Sequence, residues 1–175
     1  MEQETYDREI MERVFKKTRE AVEKGWCQDY SAIKGTGNYE KPGMNITFVD
    51  DLLPCSEKDR DAQYWCLFGA VHRAVYLNLS HIPHELEIHS LYYSKVFELL
   101  SNVLPEDERN DLINRSPNIK DSPHMLHRLM TRWNDVPGRT KENVLFLLKE
   151  AEILFEEESA QRAHRHVAYG QGWTF

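Results

Sequence analysis

The chain contains the residue types of a cysteine nucleophile, because Cys66 is followed by His72 and Asp135 lies farther along. In such sites a thiolate attacks, an imidazole takes the proton and a carboxylate orients the imidazole. Gln28 would supply an oxyanion donor, and Arg139 would complete the polar set. However, the sequence pattern places Cys66 several residues inside an apolar helix, where buried cysteine is inert. We therefore predict no catalytic residue, and a small cysteine-dependent hydrolase or transferase is the alternative.

Eight histidines suggest a search for a metal site. Three pairs place two imidazoles close together in the sequence, namely His81 with His84, His124 with His127, and His164 with His166. None of them has the helical spacing, with an intervening glutamate, that zinc proteases use. His124 and His127 would share one face of a helix, but zinc needs further ligands that the sequence does not supply. We therefore predict neither a metal nor a cofactor.

The segment 133–140, Trp-Asn-Asp-Val-Pro-Gly-Arg-Thr, is the most informative stretch. Asn134 suits a left-handed position at a helix end, and Pro137 followed by Gly138 suits a type II turn. Thr140 is a good N-cap for the helix that follows. Backbone geometry therefore accounts for four of its residues.

Turn geometry does not require Trp133, Asp135 or Arg139, so two interpretations remain. These residues form either a corner held by an Asp–Arg pair packed on the tryptophan, or a polar pocket for an anion at a helix N-terminus. We favour the corner. The candidate ligand-binding residues are Trp26, Gln28, Trp133, Asn134, Asp135 and Arg139.

Hydrophobic residues three or four positions apart predict an amphipathic first helix over residues 10–22, which Gly25 ends in a left-handed conformation. Residues 62–79 are apolar nearly all round, which predicts the central helix of a bundle. Gly69 in that helix would permit close approach of a neighbour. These two helices would position the candidate residues of the N-terminal half.

Prolines and Ser or Thr caps mark further helices. The predicted ranges are 83–105, a short acidic helix over 106–113, a helix that Ser122 caps and that reaches 133, and a helix that Thr140 caps. Residues 30–33 and 45–49 resemble two short strands around a loop. The predicted fold is mainly α: a compact bundle of about five helices with a small β-hairpin or flap after the first helix. Residues 1–159 form a single domain, and 160–175 form a C-terminal tail without helical period.

Composition narrows the possible partners. The net charge of −7 repels phosphate backbones and the basic residues are scattered, so nucleic-acid binding is disfavoured, whereas a basic protein partner is compatible. No apolar run approaches the roughly 18 to 20 residues of a membrane span, and the N-terminus does not resemble a signal peptide. The three cysteines, Cys27, Cys55 and Cys66, match no paired spacing, which predicts reduced thiols. We expect a cytoplasmic protein, in the host cytoplasm if it is phage-encoded.

Three clusters, over residues 25–28, 65–70 and 133–140, together resemble a family of small uncharacterised proteins found in bacteria and phages. Their motifs are Gly-Trp-x-Gln, Trp-Cys-x-x-Gly-Ala and Trp-Asn-Asp-x-Pro-Gly-Arg-Thr. The resemblance implies a helical fold and a bacterial or phage origin without implying a reaction. We therefore expect a non-enzymatic binding or inhibitor protein of phage or bacterial accessory type, which acts on a host protein or a small anionic ligand.

Overall fold

The computed structural model describes residues 7–35, 53–80, 85–116 and 124–170. Six helices and three short strands follow one another within these ranges. In chain order they are α1 (Arg8–Lys24), β1 (Ala32–Lys34), β2 (Leu53–Cys55), β3 (Ala62–Trp65), α2 (Leu67–Leu79), α3 (Glu85–Asn102), α4 (Glu106–Asn114), α5 (Met125–Asn134) and α6 (Lys141–Gly170). The mainly α fold class is confirmed.

The first helix, α1, forms because an N-cap and an apolar stripe coincide. The Asp7 carboxylate accepts a hydrogen bond from the Ile10 backbone N–H at 3.1 Å, which satisfies one of the unpaired donors of the first turn. Gly25 ends the helix with an extended φ of −172°, so the predicted left-handed cap is wrong. The glycine is needed for another reason: a Cβ there would collide with the carbonyl of Gln63 in β3.

The three strands form one antiparallel sheet with β1 in the centre. Ala32 of β1 lies opposite Cys55 of β2 on one side and opposite Trp65 of β3 on the other. The structure thus confirms that an antiparallel hairpin follows the first helix, here formed by β1 and β2. The predicted strand at 45–49 lies outside the described residues, and β3 was not predicted.

The central helix α2 begins at Leu67, five residues later than predicted. Residues 62–65 pair with β1 as a strand instead, with Ala62 and Trp65 buried. A buried strand followed directly by a buried helix gives one continuous apolar run, which explains the error. Cys66 is therefore the N-cap of α2 and does not lie inside the helix. Gly69 does permit close approach, because a Cβ there would overlap the carbonyl of Ser31 beside β1.

Helices α1, α3 and α5 pack against α2, and α6 packs against α1 and α3. The N-cap of α5 is His124 and not Ser122, which lies outside the described residues, as does Pro83. Helix α6 continues to Gly170, past the last residue of the periodic pattern, so part of the predicted tail is helical. The division into a domain and a tail stays a prediction. None of the described helices combines the length and apolar character that crossing a membrane requires.

Buried and partly buried ion pairs hold α6 on its neighbours. Lys95 of α3 is 4% exposed, and its ammonium lies 2.9 Å from a carboxylate oxygen of Glu98 and 2.9 Å from one of Glu158. Arg19 of α1 pairs with Glu152 of α6. Glu158, in the acidic run 156–158, therefore contributes to the packing of α6 on α3.

Candidate functional site

Asn134, at the C-terminal end of α5, is a fully buried side chain that joins three parts of the chain. Its Oδ1 accepts hydrogen bonds from the Trp26 indole N–H at 2.9 Å and from the Leu67 backbone N–H at 3.1 Å. Its Nδ2 donates to the Cys27 carbonyl at 3.3 Å. The three sequence clusters therefore meet at one amide, which also satisfies the first backbone donor of α2.

Gln28 and Asp135 extend this arrangement, which we call the Asn134 junction (Trp26, Cys27, Gln28, Leu67, Asn134 and Asp135). The buried Gln28 amide donates to the backbone carbonyls of Asn134 and Val136. An oxygen of Asp135 accepts from Asn134 Nδ2 at 2.8 Å and from the Asp29 backbone N–H at 3.1 Å. Burial raises the pKa of the Asp135 carboxyl, and these hydrogen bonds oppose that effect. The junction thus ties the segment after α1 to the end of α5.

The backbone of the corner agrees with the sequence prediction in its second half. Arg139 N–H donates to the Val136 carbonyl at 3.0 Å and Gly138 has a φ of 90°, as a type II turn requires. Thr140 Oγ1 accepts from the Asn143 backbone N–H and caps α6. The predicted left-handed Asn134 is wrong, because Asn134 is the last helical residue of α5.

Arg139 does not pair with Asp135, contrary to the prediction. Its carboxylate partner is Glu108 of α4, at 2.6 Å, and its Nε donates to the Trp133 carbonyl at 3.1 Å. The guanidinium carbon lies 3.9 Å from the centroid of the buried Trp133 ring. Arg139 therefore connects α4 to α5. That these motif residues also bind a ligand stays a prediction.

The residues of the cysteine alternative do not assemble into a nucleophilic site. Cys66 is 5% exposed, and its Sγ accepts a hydrogen bond from the Gly69 backbone N–H. Burial raises the pKa of this thiol to about 12, although the position at a helix N-terminus favours the thiolate. His72 lies roughly 240° around α2 and about 9 Å along its axis from Cys66, so the two side chains face different directions. The Gln28 amide is occupied by backbone carbonyls.

We expect alkylation to distinguish the three thiols. Burial raises the pKa of all three thiols, but Cys27 and Cys66 are buried whereas Cys55 is partly exposed. Iodoacetamide at pH 8 should therefore label only Cys55 in the folded protein and all three cysteines in urea, as counted by intact mass spectrometry. A Cys55→Ser variant is the control and should remain unlabelled when folded. Rapid labelling of Cys66 in the folded protein would revive the nucleophile.

A separate cavity of about 720 Å³ lies between α2, α3 and α5. We call it the histidine–tyrosine pocket. It is lined by Lys58, His72, Val75, Tyr76, His89, Ser90, Tyr93, Ser94, His124, Met125, Leu126 and His127. Of the described residues singled out from the sequence, His72 and the pair His124 and His127 line this pocket, and the six candidate ligand-binding residues do not.

Perpendicular ring contacts orient Tyr93, His72 and His127 in the pocket. The centroid of Tyr93 lies 4.1 Å from that of His72 and 4.2 Å from that of His127, with interplanar angles of 88° and 82°. The rings of His124 and His127 stack at 5.7 Å. This edge-to-face arrangement fixes the directions of the imidazoles without hydrogen bonds between them.

Burial favours the uncharged form of two imidazoles in the pocket, those of His72 and His127. Burial lowers the pKa of His72 to about 4, although the Glu57 carboxylate 3.8 Å from its Nδ1 opposes the shift. Burial also lowers the pKa of His127, and the neighbouring His124 lowers it further. The buried Nε2 atoms of His72 and His89 have no hydrogen-bond partner within the described ranges. The pocket therefore offers neutral groups that donate or accept hydrogen bonds.

No group of three or more potential ligands among the described His, Cys, Asp and Glu residues is placed to hold a metal ion. His81 and His84 lie outside the described residues, and the side chains of His164 and His166 are not described. The sequence did contain a signal for the pocket, namely the spacing of ring-bearing residues within each of three helices. His72 and Tyr76, His89 and Tyr93, and His124 and His127 lie three or four residues apart, so each helix presents two rings on one face.

The comparison with known families covers most of the chain. A family of unknown function, DUF6197, matches residues 8–153, which include α1 to α5 and the first part of α6. The chain belongs to DUF6197. Neither the curated proteins nor the solved structures give a match to this DUF6197 protein. The matched range includes both the Asn134 junction and the histidine–tyrosine pocket.

Proposed function

We propose that this DUF6197 protein is a non-enzymatic binding protein that holds a small molecule in the histidine–tyrosine pocket. The observation that carries the proposal is the cavity of about 720 Å³, which lies within the roughly 300 to 1,000 Å³ typical of ligand pockets. Its lining combines apolar and aromatic walls with a few polar groups. That combination fixes a ligand's orientation while burying most of its surface.

Unpaired polar atoms at the pocket support a ligand over a purely structural cavity. Buried imidazole nitrogens without partners are costly, and His72 and His89 each have one. Both atoms are covered in the structure, so a bound molecule would supply the missing acceptors or donors once the neighbouring side chains shift. The polar groups of the Asn134 junction, in contrast, are paired within the protein, which supports a structural role for these residues, whereas the buried Trp133 indole N–H has no hydrogen-bond partner within the described ranges.

The origin of the protein and the compartment in which it acts are also part of the proposal. A bacterial or phage accessory protein that sequesters a small molecule in the cytoplasm fits a binding pocket without a catalytic nucleophile. The alternative binding function is inhibition of a host protein. The net negative charge of the chain would suit a basic partner. The cysteine-dependent hydrolase is less well supported, because Cys66 is buried and faces away from His72.

The proposal is tested with N-phenylnaphthylamine, a neutral aromatic probe whose fluorescence rises in an apolar environment. We expect saturable one-site binding to the wild-type protein. Ser94 is exposed and lines the pocket, so Ser94→Phe should occupy the cavity and weaken binding at least tenfold, or about 1.4 kcal/mol.

The matched control is Asn110→Phe, which adds the same ring at an exposed position of α4 outside the pocket. This variant should bind the probe like the wild type. Absence of binding to the wild type, or equal loss in both variants, would refute a ligand site between α2, α3 and α5.

A further inference from the structure

Lys58 is held at the pocket by the loop that carries it. Arg73 Nη1 donates hydrogen bonds to the backbone carbonyls on either side, those of Glu57 at 3.1 Å and Asp59 at 3.0 Å. The Lys58 ammonium lies 4.5 Å from the centroid of the Tyr76 ring, one helical turn beyond His72. The backbone that carries Lys58 is therefore fixed beside the pocket, and its exposed side chain reaches the Tyr76 ring.

The carboxylates on either side of Lys58 in the sequence do not pair with its ammonium. The Glu57 carboxylate lies 3.8 Å from His72 Nδ1, and the Asp59 carboxylate pairs with Lys34 at 2.9 Å. No ion pair joins the Lys58 ammonium to a carboxylate within the ranges that the structure describes. The positive charge is thus available to a bound molecule.

Lys58 brings a positive charge to the pocket. It is the charged side chain among the described lining residues, and burial favours the uncharged imidazoles of His72 and His127. Six of the twelve described lining residues carry rings, so a flat molecule finds ring faces and edges on several sides. The Lys58 ammonium would attract an anionic molecule and repel a cationic one.

We propose that the pocket takes a planar aromatic anion, whose charged group contacts Lys58 and whose ring system packs against Tyr76. This inference rests on the proposed binding function and names the class of its ligand. An aromatic carboxylate or sulfonate would place its acid group at the ammonium and its ring among the imidazole and phenol rings. The neutral histidines would hydrogen-bond to polar substituents on the ring.

The test compares two fluorescent probes with nearly the same rings, anilinonaphthalene sulfonate and the neutral N-phenylnaphthylamine. We expect the anionic probe to bind the wild type about fivefold to tenfold more tightly, as a partly exposed ion pair allows. Lys58→Gln should abolish that preference and leave the affinity for the neutral probe within about twofold. Added salt should also reduce the difference in affinity between the two probes.

Lys24→Gln is the control, because Lys24 also lies over an aromatic ring, that of Trp65 at 5.5 Å, but outside the pocket. It should keep the full preference for the anionic probe. If the neutral probe binds as tightly as the sulfonate, or if Lys58→Gln keeps the preference, the ligand class is wrong while the pocket stands. If neither probe binds, both the ligand class and the binding function are refuted.

Discussion

Asn134→Ala should cost roughly 3 to 9 kcal/mol of unfolding free energy, because it removes partners from three buried polar groups at about 1 to 3 kcal/mol each. These groups are the Trp26 indole N–H, the Leu67 backbone N–H and the Cys27 carbonyl. Domains of this size are stable by only about 5 to 15 kcal/mol, so the variant should lie close to unfolding. Urea denaturation followed by circular dichroism measures the loss.

The control for this change is Asn78→Ala on α2. The Asn78 amide also donates a partly buried hydrogen bond, but only to the Ala74 carbonyl of its own helix at 2.8 Å. Its loss should cost no more than about 1 kcal/mol, since one bond disappears and alanine is the better helix former. Equal losses for the two variants would show that the Asn134 junction does not hold the three segments together.

Gly69→Ala should destabilise the protein by about 2 to 3 kcal/mol, although alanine is favoured over glycine in a helix by about 1 kcal/mol. The added Cβ would overlap the Ser31 carbonyl, which belongs to the backbone leading into β1. A backbone cannot rotate away as a flexible side chain does, so either β1 or α2 must shift. Thermal or urea unfolding of the variant measures the net change in stability.

Gly138→Ala separates this steric effect from backbone conformation. Gly138 has a φ of 90° but open space around it, so its cost of about 1 kcal/mol should come from the left-handed conformation alone. Gly69→Ala should therefore be the more damaging of the two. A Gly69→Ala protein that is more stable than the wild type would mean that α2 and β1 are not in close contact.

The periodic parts of the fold were predictable because packing follows the 3.6-residue period. The apolar stripe of α1 and the cap at Thr140 needed only local information, and both are present in the structure. The start of α2 was misplaced because a buried strand and a buried helix are both continuously apolar. Only the pairing of residues 62–65 with β1, a contact between distant segments, decides between them.

The site was harder to predict because its residues come from different helices. Sequence reasoning selected Trp26, Gln28 and Asn134 for their unusual residue types, and the structure places them together, with their polar groups engaged within the protein. It examined histidines as neighbours in the sequence, whereas the pocket combines His72 and Tyr93 across two helices. Helix order and rotation determine that contact, and neither can be obtained from local patterns.

The central claim is that the motif residues hold the fold while the histidine–tyrosine pocket binds the ligand. Titration of isotope-labelled protein with N-phenylnaphthylamine, followed by two-dimensional NMR, tests both halves in one measurement. We expect the largest shifts at Tyr76, Tyr93 and His127, while the Trp26 indole and Asn134 side-chain signals stay in place. Shifts concentrated at Trp26 and Asn134, with the pocket signals unmoved, would contradict it.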